Sequence, residues 1–118
     1  MEIERKEYLQ ALIDSKSNGL VKVITGIRRC GKSYLLDPIF TDYLRSVGVE
    51  NSHIVKIDLD ERENRKYWNP DALDSYVRGL IKDRQTYYIL LDEVQFVKDF
   101  ESVLNGFLHI RNLDVYVT

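Results

Sequence analysis

Residues Gly26-Ile27-Arg28-Arg29-Cys30-Gly31-Lys32-Ser33 match the pattern G-x-x-x-x-G-K-[ST] at every fixed position. This run constrains the fold more than any other, because its chemistry works only where a strand ends and a helix begins. Gly26 and Gly31 let the backbone turn tightly and bring successive N–H groups close to phosphate oxygens. Lys32 places a mobile positive charge at the outer phosphates, and the Ser33 hydroxyl suits Mg²⁺. The helix that follows points its positive dipole end at the anion. The competing reading is a coincidental glycine-rich turn, expected in on the order of a few per thousand chains of this length. The flanks disfavour it: residues 20–25 form an apolar run that reads as a buried strand, and a helical pattern follows. The nucleotide-contacting run is therefore taken as residues 26–33 with Tyr34, the first residue beyond the loop.

The second informative stretch is Tyr87-Tyr88-Ile89-Leu90-Leu91-Asp92-Glu93. A near-continuous apolar run is what a central parallel strand looks like when helices cover both faces of its sheet. Two carboxylates at its end have no structural reason to occur as a pair, but they have a chemical one. In a phosphate-loop ATPase one holds Mg²⁺ and the other polarises the attacking water. Asp92 is thus assigned to the metal with Ser33, and Glu93 to general-base duty with Lys32 as its catalytic partner. The alternative for the pair is helix capping.

Around these two stretches the chain reads as alternating elements. Residues 3–15 carry Leu9, Leu12 and Ile13 at helical spacing, and Ser17-Asn18-Gly19 ends that helix. Either this helix packs beside the nucleotide, with Arg5 or Tyr8 touching the base, or it only covers the sheet. Leu35, Leu36, Ile39, Phe40, Tyr43, Leu44 and Val47 form a second helical face that Gly48 stops, with Pro38 expected to remove a donor and bend it. Residues 53–59 read as a strand ending in Asp58, which either faces a ligand crevice or caps a loop. Asn69-Pro70 announces a helix whose buried face is Leu73, Tyr76, Val77, Leu80 and Ile81. Tyr67 and Trp68 before it are a recognition patch or, as aromatics at that position usually are, a staple for the helix start. Asp99 is the expected N-cap of a helix bearing Phe100, Val103, Leu104, Phe107 and Leu108, and residues 113–118 form a last strand. A helix followed by four strands alternating with three helices demands parallel pairing through right-handed crossovers, so the fold class is α/β.

Bulk properties exclude several classes. With 118 residues, 44% hydrophobic and 31% charged, the chain is at most one ordinary globular domain. A net charge of -2 makes no case for general nucleic-acid affinity. One cysteine cannot form an internal disulfide, the first residues lack the apolar stretch of a signal peptide, and no run has the length of a membrane span. The expected location is cytoplasmic. Cys30 sits at a helix start, where thiolates are favoured and a redox role is open, yet a small tolerated side chain is the favoured reading. His53 and His109 lack metal-ligand spacing with Cys30, so no zinc site is expected. Arg28 and Arg29 are open to phosphate, a neighbouring subunit, nucleic acid or solvent.

Taken with Asp92-Glu93, the loop makes the chain resemble the AAA-type branch of phosphate-loop ATPases. Val23-Ile24-Thr25 leading into the loop, and Leu91-Asp92-Glu93-Val94-Gln95, are similar to an archaeal and bacterial ATPase family. Members of that family usually continue into a small helical region and a C-terminal domain of unknown function. The resemblance implies a three-layer phosphate-loop NTPase fold, a parallel sheet of about four strands in a truncated AAA-type core, with residues 1–118 as the N-terminal part of the ATPase domain. It also implies the strand order loop strand, last strand, Asp-Glu strand, second strand, with Thr118 as the one candidate for a polar sensor. ATP and Mg²⁺ are the implied ligands, and the missing C-terminal part and a homo-oligomer the implied partners. With a fifth strand, arginine finger and lid absent, residues 20–25 would form an exposed edge that recruits another chain or is covered by the first helix. Such a chain alone is expected to bind nucleotide weakly, hydrolyse it barely and self-associate. Other readings are a nucleotide-gated switch and a phosphate-loop kinase, the latter disfavoured because an activated water at Glu93 is counterproductive in a kinase. Guanine specificity stays open.

Overall fold

Side chains along a strand alternate between the two faces of its sheet, and here the alternation divides the core in two. In the computed structural model, residues 2–24 and 34–118 are described, with side chains from residue 7 onward in the first segment. Strand β3 (Tyr87–Asp92) is buried along its whole length. Its Ile89 and Leu91 pack on one face of the sheet, while Tyr88 and Leu90 pack on the other. Strand β4 (Leu113–Val117) does the same with Val115 and Val117 against Tyr116. With β1 (Lys22–Val23) and β2 (Ile54–Asp58) the sheet has the order β1-β4-β3-β2, every neighbour parallel. This is the expected order, in a three-layer α/β architecture.

Helix α1 (Glu2–Asp14) and the helical run of residues 35–46, which ends in α2 (Thr41–Ser46), cover one face through Leu12, Leu35, Leu36, Phe40 and Leu44. Helices α3 (Pro70–Leu80) and α4 (Phe100–Phe107) cover the other through Leu73, Val77, Val103 and Phe107. Asn69 caps α3 as its position predicts, its side-chain oxygen accepting from the Ala72 N–H at 3.0 Å, with Pro70 in the first turn. Pro38 acts one residue ahead of itself: Asp37 takes an extended backbone, as residues before proline tend to, and the helical run is kinked there. The Thr41 hydroxyl donates to the Asp37 carboxylate at 2.9 Å across that kink.

Several expectations are corrected. The loop strand is only two residues long, and Leu20 and Val23 are each 62% exposed, because β1 lies at the sheet edge and, among the described residues, pairs only with β4. Asp99 precedes α4 in a left-handed conformation and makes no side-chain cap; its carbonyl accepts from Ser102 and Val103 instead. Val47, Tyr76 and Leu108 are exposed; Val47 and Leu108 are the residues just past the ends of α2 and α4. Tyr67 stacks on Tyr76 at 4.7 Å between centroids, and the Trp68 indole N–H donates to the Leu59 carbonyl at 2.6 Å. These aromatics therefore tie the β2–α3 connection to the sheet, as the staple reading requires. Among the described residues, no helix is long and apolar enough to cross a membrane.

Candidate functional site

Parallel strands place their carboxyl ends together, and in an open α/β sheet ligands bind outside that edge. Residues 25–33, and with them Gly26 through Ser33, lie outside the described residues, as does the Arg5 side chain. The flanks of the loop are described. The Ile24 N–H donates to the Val117 carbonyl at 2.9 Å, so the chain leaves the sheet toward Gly26 beside the end of β4. The chain resumes at Tyr34, which is 48% exposed at the rim of a cavity of about 370 Å³. Asp37, Lys56, Asp58, Asp60, Glu61 and Asp92 complete its lining.

The centre of the site is the junction of β3 and β4. Asp58 and Asp92 are register partners at the ends of β2 and β3. Asp92 is buried, and the Thr118 hydroxyl donates to its Oδ1 at 2.6 Å. The same Thr118 oxygen accepts from the Glu93 N–H at 2.9 Å. Thr118 is anchored on both sides by main chain, its N–H donating to the Leu91 carbonyl and its carbonyl accepting from Val94. Glu93 has φ 61° and ψ 54°, a left-handed conformation that costs a residue with a Cβ about 1–3 kcal/mol. The Thr118 hydroxyl and the tight turn at Val94–Phe96 hold it there, so the chain turns away sharply after Asp92 and the two carboxylates diverge. Asp92 lines the cavity. Glu93 is half-exposed, and the Gln95 side-chain amide donates to its Oε1 at 2.6 Å.

Asp58 resolves into neither of its two expected roles alone. Its carboxylate pairs with Lys56 at 2.5 Å inside the cavity, while its carbonyl shapes the following turn by accepting from Glu61 N–H and the Asn64 amide. Among the described residues no group of three or more His, Cys, Asp or Glu is arranged to hold a metal ion. A Mg²⁺ ion does not need one, because it keeps waters and phosphate oxygens and takes one or two protein oxygens. Asp92 and Ser33, a carboxylate and a hydroxyl, fit that hard-oxygen preference.

Sequence reasoning named Asp92, Glu93, Thr118 and Tyr34, and the structure gathers the first three at one junction with Tyr34 across the cavity. It gave no role to Gln95, whose signal was its position two residues beyond Glu93. It also passed over Lys22 and Asp114, each a lone charge inside an apolar strand pattern; the structure buries both and pairs them.

Comparison with known proteins agrees with this geometry. The family described as AAA domain matches residues 18–118. An uncharacterized protein of Haemophilus influenzae is 35% identical over 98% of the chain, and one of Methanocaldococcus jannaschii is 26% identical over 96%. The chain spans 29% and 24% of the length of these two relatives. No solved structure matches it. The loop sequence, the strand order and the carboxylate at the end of β3 thus occur in a chain that belongs to the AAA domain family.

Proposed function

We propose that this domain binds ATP with Mg²⁺ at the carboxyl edge of its sheet and hydrolyses it, and that hydrolysis drives conformational change in a longer protein. The observation that carries the reading is the β3–β4 junction: a buried Asp92 held by Thr118, with only β4 between β3 and the loop strand β1. In this reading the backbone of residues 26–34 cradles the phosphates and Lys32 faces the outer ones. Asp92 and Ser33 hold the ion, which when bound neutralises phosphate charge. Glu93 orients the attacking water and takes its proton. Electrostatics supports a metal–nucleotide complex as the ligand. Among the described residues the cavity carries Asp37, Asp58, Asp60, Glu61 and Asp92 against Lys56, an acidic lining that favours phosphates accompanied by a cation.

A second reading, a nucleotide-gated switch that turns over only when a partner completes the site, draws support from the Gln95–Glu93 hydrogen bond, which engages the proposed base. The share of the relatives' length that the chain spans supports further groups supplied by the rest of a longer polypeptide or by a second copy. Phosphate release from ATP and GTP by the full-length protein tests the proposal. Glu93→Gln should keep Mg-ATP affinity and slow release by about 10²-fold or more, the scale of losing a positioned base. Unchanged turnover would remove Glu93 from that role.

A further inference from the structure

Strand β1 carries the phosphate loop, yet it is the most weakly built strand of the sheet. Among the described residues it has two ladder positions, Lys22 opposite Tyr116 and Val23 opposite Val117, and it lies at the edge. A short edge strand specifies its own register poorly, and a slip of one residue turns every side chain to the other face. Polar contacts beneath it supply what the ladder lacks. Lys22 is 8% exposed and Asp114 3%, and the ammonium of the first pairs with Oδ1 of the second. Lys22 also donates to Asn18 Oδ1 at 3.2 Å and lies 4.9 Å from the Tyr116 ring centroid. The other Asp114 oxygen accepts from the Tyr116 hydroxyl at 2.7 Å and from the Ser17 N–H at 2.9 Å. Burial and the Asp114 carboxylate push the Tyr116 hydroxyl well above its usual range, which keeps it a donor.

We infer that the buried Lys22–Asp114 pair is a register lock that positions the loop strand against the Asp92–Thr118 junction. Asp114 joins three segments: the turn after α1, β1 and β4. A one-residue slip of β1 would carry Lys22 to the other face of the sheet, where Val23 is exposed, and leave the Asp114 carboxylate buried without its ammonium. Only one register keeps the charge paired. That register determines where residue 26 starts relative to Thr118, four residues along from the locked lysine. Lys22 and Asp114 touch no ligand in this scheme; they are positioning residues. The inference rests on the phosphate-loop reading for its consequence and on the strand geometry for its cause.

The double variant Lys22→Met/Asp114→Asn tests it in the full-length protein. Met matches the length of the lysine stem, and Asn keeps an acceptor for Ser17 and Tyr116, so the fold is expected to persist without the charge pair. If β1 then occupies the competent register about a tenth of the time, Mg-ATP affinity by calorimetry falls about tenfold. Amide exchange should show the Ile24 N–H losing nearly all of its protection, with the β3 amides unchanged. A folded variant with wild-type affinity and wild-type Ile24 exchange would overturn the inference. Should the variant fail to fold, exchange in the wild type decides: Ile24 protected like β3 supports the lock, and Ile24 exchanging like a frayed edge refutes it. A wild type that binds no ATP would sink the nucleotide reading, while the exchange comparison would still judge the lock.

Discussion

Replacing Thr118 by valine removes one oxygen at nearly constant volume, and that oxygen serves two partners. It donates to Asp92 Oδ1 at 2.6 Å and accepts from Glu93 N–H at 2.9 Å. A hydrogen bond to a charged group contributes about 1.5–3 kcal/mol net, and leaving a donor unsatisfied costs about 1–3 kcal/mol. The Glu93 N–H bond is only partly buried, so water meets part of the second cost, and the sum is on the order of 2–4 kcal/mol. With an unfolding entropy of about 2.1 cal/mol/K per residue, 1 kcal/mol corresponds to about 4 °C for a chain of this length, so Tm should fall by about 8–15 °C. Calorimetry and urea unfolding measure it, and the urea midpoint should shift at constant m. Thr118→Ser keeps the hydroxyl and should cost less than about 1 kcal/mol, the loss of one methyl. A valine variant within about 0.5 kcal/mol of wild type, or a serine variant as damaged as the valine one, would refute the two-partner account. The same valine variant should bind Mg-ATP more weakly, since Asp92 and Glu93 lose their shared support.

Lys32→Ala should abolish tight ATP binding by calorimetry, because it removes the charge facing the outer phosphates. Phe107→Ala opens a cavity beneath β3 and β4, where Phe107 is fully buried, and should cost about 3–5 kcal/mol in urea unfolding without a change in the nucleotide junction. A pH effect is expected at Asp83. Desolvation alone would raise its carboxyl, but the hydrogen bond with buried His53, the Gln85 N–H, the His53 charge and Tyr87 hold it below the ordinary 3.8. A depressed carboxyl stabilises the fold above its unfolded value, and the contribution is lost as pH falls through the folded value. Asp83→Asn should therefore flatten the acid limb of the stability profile below 3.8, and an unchanged limb would assign it elsewhere.

The elements that local chemistry dictates were legible in the sequence. Asn69-Pro70 marks a helix start because a side-chain oxygen and a fixed φ act within one turn. The run 87–92 marks a central strand because burial on both faces leaves no polar alternation. The proposed roles of the loop 26–33 and the pair Asp92-Glu93 rest on residue type and spacing, and family resemblance supplied the strand order. Tertiary structure alone decided what contacts between distant residues decide. Thr118 serves both Asp92 and Glu93 because parallel pairing brings residues 26 and 25 positions apart to one strand end, and no periodicity encodes that. The burial of Lys22 was invisible because a lone lysine in an apolar run ordinarily marks an edge, and its partner Asp114 lies 92 residues away. The left-handed backbone at Glu93 and the extended backbone at Asp37 likewise depend on what each segment must turn to meet. Local propensity selects the elements of this chain; the joins at the ends of its strands follow from which strands are neighbours.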